Sequence, residues 1–70
     1  MNHQLYIARR ESHLRQKDVA KKLGIHPQTY HEKECGKKDF TMTEAKRLAV
    51  IFNRSLDELF GGEKNEHQII

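Results

Sequence analysis

The stretch from Leu14 to Gly36, LRQKDVAKKLGIHPQTYHEKECG, decides the fold. Val19, Ala20 and Leu23 stand at i, i+1 and i+4, an apolar stripe that predicts a helix over Gln16–Leu23. Gly24 follows where a helix end favours a left-handed residue, and Ile25 after it is apolar. Pro27 suits the first position of a second helix, expected over Pro27–Cys35 and stopped by Gly36. Two short helices joined by a tight glycine-containing turn make a helix-turn-helix. The second helix of such a pair is the one that can enter the DNA major groove.

The flanking sequence completes a helical domain. Leu5 and Ala8 give an inward stripe to a helix expected over Asn2–Glu11, with Leu14 closing the layer after its turn. Downstream, Thr41 and Glu44 form a capping box, and Phe40 with Ala45 can make a hydrophobic staple. Met42, Ala45, Leu48, Ala49 and Phe52 then form the strongest helical stripe in the chain, expected over Met42–Phe52. A second capping box, Ser55 with Glu58, opens a short helix over Leu56–Phe60 that Gly61-Gly62 ends. The expected fold is therefore all-α, with five helices in one domain over residues 1–61. Residues 62–70 are polar up to Ile69-Ile70 and are expected to be a flexible tail. One helix start breaks the local rules: Arg15 stands where a serine or threonine cap belongs. Asp18 can pair with Lys22 at i, i+4.

Composition narrows the function classes. Seventy residues allow a single domain with a modest core. No period-2 alternation predicts a sheet, and no apolar run approaches the roughly 20 residues of a membrane span. No signal-peptide pattern is present, and the single cysteine, Cys35, cannot form an internal disulfide, so a cytoplasmic location is expected. The net charge of +3 is unevenly placed. Residues 1–40 hold nine Lys/Arg against five Asp/Glu, whereas residues 41–70 hold four against five. The basic half contains the helix-turn-helix, which suits a phosphate-rich partner. No catalytic set is visible: Ser12 and Ser55 lack a His/Asp partner, and no glycine loop can cradle a phosphate.

From Leu5 to Phe60 the chain resembles the Cro and lambda-repressor-like family, often called XRE-type. The resemblance rests on Arg9, Leu14, Gln16, Ala20, Gly24, Ile25, Thr29, Glu34, Gly36, Leu48, Ala49 and the run Ser55-Leu56-Asp57-Glu58-Leu59-Phe60. It implies a compact five-helix DNA-binding domain, similar to small phage or prophage regulators. It further implies an ion pair between Arg9 and Glu34, and a Gln16 that holds a phosphate while bracing Gln28. The loop carrying Lys37 and Lys38 is implied to lie against the DNA backbone.

The outward residues of the second helix are expected to be Gln28, His31 and Glu32, with Pro27 at the tip. An amide can read adenine bidentately, and a carboxylate can accept from cytosine N4. Pro27 is restricted to shape or thymine-methyl contact. Together with Arg15, Gln16, Lys17, Thr29, Lys37 and Lys38, these form the expected DNA-facing set. The inward residues are Tyr30, part of Thr29 and the stem of Lys33, which departs from the aliphatic usual in this family. His31 and Cys35 lie at i, i+4 with His26 close by, but a structural zinc site needs four ligands in a recognisable spacing, so no metal or other cofactor is expected. The expected function is a sequence-specific double-stranded DNA regulator of Cro type, acting by operator occupancy. The alternative is an antitoxin-like or anti-repressor module that turns the same fold toward a protein, which the Pro27 tip and acidic Glu32 favour. Useful specificity calls for two half-sites, so a two-fold homodimer is expected, free or only on DNA. Ile51, Phe52, Leu56, Leu59 and Phe60 are its expected surface.

Overall fold

A computed structural model describes residues 1–61; the tail expected over residues 62–70 lies outside the described residues. Five helices follow in order: α1 (His3–Glu11), α2 (Gln16–Leu23), α3 (Pro27–Glu34), α4 (Met42–Phe52) and α5 (Leu56–Phe60). No strand occurs among the described residues. The bounds of α2, α4 and α5 match the sequence reading. Helices α1 and α3 are each one residue shorter at an end, because Asn2 and Cys35 are caps rather than helical residues.

Caps explain where the helices start. Thr41 Oγ1 accepts from the Glu44 amide at 3.1 Å, and Glu44 Oε1 accepts from the Thr41 amide at 2.9 Å. Ser55 and Glu58 repeat the pattern at 3.0 and 2.8 Å. At α2 the missing serine is partly replaced by Asp18, whose Oδ2 accepts the Arg15 amide at 2.9 Å and Arg15 Nε at 3.3 Å. Asp18 thus turns back to Arg15 rather than forward to Lys22. Backbone hydrogen bonds and the Arg15 guanidinium hold its carboxyl below the usual range.

The core takes Leu5 and Ala8 from α1, Val19, Ala20 and Leu23 from α2, and Tyr30 from α3. Phe40, Ala45, Leu48, Phe52, Leu59 and Phe60 complete it. Phe40 is the hinge of this packing: its ring meets Tyr30 at 5.9 Å and Phe60 at 5.8 Å between centroids, in tilted and edge-on geometries. Asn2 is fully buried and ties three elements together. Its side-chain oxygen caps α1 through the Leu5 amide at 3.0 Å, and its Nδ2 donates to the Leu59 carbonyl at 2.9 Å. Its backbone amide donates to the Glu34 carbonyl at 3.2 Å. The sequence places Asn2 in the helix expected over Asn2–Glu11, where its capping and tying role is not legible.

The burial of α5 corrects the expected dimer surface. Phe52, Leu59 and Phe60 are inside, at 6%, 0% and 4% exposure. A domain this small has too few apolar side chains to fill a core without them. Ile51 and Leu56 are half-buried at its edge and retain some surface.

Candidate nucleic-acid interface

The helix-turn-helix is built as its sequence dictates. Gly24 adopts φ 74°, and its amide with that of Ile25 closes α2 on the carbonyls of Lys21 and Ala20 at 3.1 and 3.0 Å. Pro27 occupies the first turn of α3, and His26 caps it by accepting the Gln28 amide on Nδ1 at 3.0 Å. Gly36, at φ 89°, lets the chain leave α3.

Beneath the pair lies one saturated carboxylate. Glu34 Oε2 accepts from Arg9 Nε at 2.9 Å and the Tyr30 hydroxyl at 2.6 Å. Its Oε1 accepts from Arg9 Nη2 at 3.1 Å and Gln16 Nε2 at 3.0 Å. The expected Arg9–Glu34 pair is therefore present, bidentate and buried, with side-chain exposures of 9% and 1%. Burial pushes the Glu34 pKa up, but the donors from Arg9, Tyr30 and Gln16 outweigh it and hold the carboxyl low. Burial likewise opposes the charge on Arg9, yet Glu34 keeps that guanidinium more firmly protonated. Tyr30 is pushed strongly up, first by burial and then by its bond to Glu34. Arg9 Nη1 also donates to the Leu14 carbonyl at 3.0 Å, fixing the turn before α2.

Gln16 links this support to the outer face of α3. Its amide donates to Glu34, and its carbonyl oxygen lies 3.1 Å from His31 Nδ1. The brace expected from Gln16 to Gln28 is thus made to His31 instead, because His31 lies beside the first turn of α2. Gln28 is exposed, one turn before Glu32 on the same face of α3. Glu32 pairs with Lys38 Nζ at 3.0 Å, and its backbone carbonyl receives the amides of Lys37 and Lys38 at 2.8 and 3.3 Å. Lys38 is the main cause of the lowered Glu32 pKa, with smaller help from Lys37 and Gln28. Lys38 therefore neutralises an acid on the outer face, a role the sequence did not suggest. Lys17 and Lys37 are exposed and join no ion pair among the described residues. Arg15 is exposed but paired with Asp18, Pro27 stands exposed at the tip, and Thr29 is half-buried.

Lys33 resolves its odd placement through a second ion pair. Its Nζ meets Glu44 Oε1 at 2.6 Å, with side-chain exposures of 12% and 14%, and sits over the Phe40 ring. The capping glutamate of α4 thus anchors α3 as well. Cys35 Sγ lies 3.8 and 3.5 Å from the two ring nitrogens of His31. His26 is occupied with its cap, and no group of three metal-ligating side chains occurs among the described residues.

The described geometry is a helix-turn-helix whose second helix offers polar side chains outward from a fixed base. A family model described as helix-turn-helix matches residues 5–59. The chain belongs to the XRE, or lambda-repressor-type, helix-turn-helix family. As an XRE-type protein it is a DNA-binding regulator. Comparisons with curated proteins and with solved structures returned no significant match. No helix among the described residues is long and apolar enough to cross a membrane.

Proposed function

We propose that this XRE-type chain is a sequence-specific double-stranded DNA regulator of Cro type, which represses transcription from the cytoplasm by occupying its operator. The observation that carries the reading is the Gln16–His31 bond at 3.1 Å, which locks the first turn of α2 to the outer face of α3. The α2 amino end, with outward amides and a favourable dipole, suits a phosphate. Lys17 and Lys37 extend that positioning role, as phosphate contacts set register without carrying sequence information. Gln28, His31 and Glu32 then face the base edges, with Pro27 giving shape contact at the tip. A two-fold homodimer supplies the second half-site, with Ile51 and Leu56 at its edge.

A gel-shift titration against random genomic fragments at low and high salt tests this reading. The expected result is salt-sensitive binding with a clear preference among fragments. Binding that is neither salt-sensitive nor selective would instead fit a module that uses this fold against a protein.

A further inference from the structure

Glu34 has both oxygens occupied by four donors, and a carboxylate can only accept. The orientation of the Gln16 amide follows: its NH2 must face Glu34, so its carbonyl oxygen must face His31. That oxygen also can only accept. His31 Nδ1, 3.1 Å away, must therefore carry the proton. In a neutral ring this leaves a lone pair on Nε2. Cys35 Sγ does not consume it: at 3.8 Å from Nδ1 and 3.5 Å from Nε2, the sulfur lies beside the ring, away from the Nε2 lone-pair direction. We propose that His31 is a specificity-determining residue: Gln16 and Glu34 fix its neutral ring as the Nδ1–H tautomer, and its Nε2 accepts a hydrogen bond from the exocyclic amine of cytosine or adenine in the major groove.

This inference rests on α3 being the helix that enters the groove. It makes His31 an acceptor, complementary to cytosine N4 or adenine N6 and mismatched to guanine O6, guanine N7 and thymine O4. Gln16 acts here as a positioning residue, and Glu34 acts through it. The chain of contacts runs from a buried ion pair to a base-reading atom without passing through solvent.

Nitrogen-15 NMR of the full chain at pH 8 reads the tautomer directly, because protonated and lone-pair ring nitrogens have well-separated shifts. The expected result is one protonated Nδ1 on His31, lost to a mixture of tautomers in Gln16→Ala. A dominant Nε2–H form, or a mixture already in the parent protein, overturns the proposal. The second arm measures His31→Ala on all four bases at each position of a binding site selected from random DNA. Affinity should fall about tenfold where one cytosine or adenine is preferred, and the preference there should vanish. The base that loses its advantage identifies which amine is read. An equal loss on every variant overturns base reading while leaving the tautomer intact. If the parent protein binds no DNA sequence selectively, the proposed function fails and base reading with it. The NMR result still reports on the Gln16–His31 link.

Discussion

Glu34→Ala removes an acceptor from Arg9, Tyr30 and Gln16 at once and leaves a buried guanidinium unpaired. We expect a loss of about 3–5 kcal/mol, read from urea denaturation. A midpoint unchanged from the parent would mean that the pair contributes nothing. The same carboxylate shapes the acid limb of stability. Its pKa is lowered in the folded chain, so the unfolded chain binds the extra proton first as pH falls. The contribution is complete above the ordinary glutamate value of about 4.3 and is lost as pH drops through the lower folded value. Glu34→Gln should therefore melt with a flatter pH dependence below about pH 4.3 than the parent. Equal slopes would remove Glu34 from the account of acid stability. The Arg9–Glu34 pair was legible through its resemblance to a known family, since 25 residues separate the partners. The Lys33–Glu44 pair and the buried Asn2 were not legible. Their partners lie on other helices, and a surface lysine or a helix cap reads the same in sequence whether buried or not.

Each helix was legible where its ends carry chemistry. The two Ser/Thr capping boxes and Gly24 fixed their boundaries, because those side chains and that backbone conformation answer a local need for hydrogen bonds. Thr41→Ala and Ser55→Ala should each cost about 1 kcal/mol in thermal melts. Equal melting temperatures for parent and variants would show that water caps these ends as well. Gly24→Ala isolates backbone strain, since φ is 74° and a Cβ there meets nothing within 4 Å. It should cost about 1–2 kcal/mol, and no loss would mean that the turn relaxes to another conformation. What the elements hid was their facing. The apolar residues at the end of α4 and in α5 read as a dimer surface in the sequence, because so short a stripe does not reveal which side holds the core.

Across the domain, stability and the proposed recognition share the same contacts. The ion pair that holds α1 to α3 also sets Gln16, and Gln16 holds His31. Ile51 and Leu56 stay partly open at the core edge, so under the proposed two-fold assembly Ile51→Glu should keep the fold but weaken binding to a two-half-site DNA. Sedimentation of the parent complex should give two chains per site, and a single chain would remove the dimer from the account. Positioning and reading should also separate. Lys37→Ala should weaken all sequences alike and lower the salt slope by about one unit. Base reading by α3 is decided by comparing the parent with Gln28→Ala across single-base variants of a site selected from random DNA. Gln28→Ala should lose roughly 1–3 kcal/mol on the preferred site, relax preference at one base pair per half-site, and leave the salt slope unchanged. An equal loss on every variant would show that Gln28 touches only the DNA backbone and does not read a base.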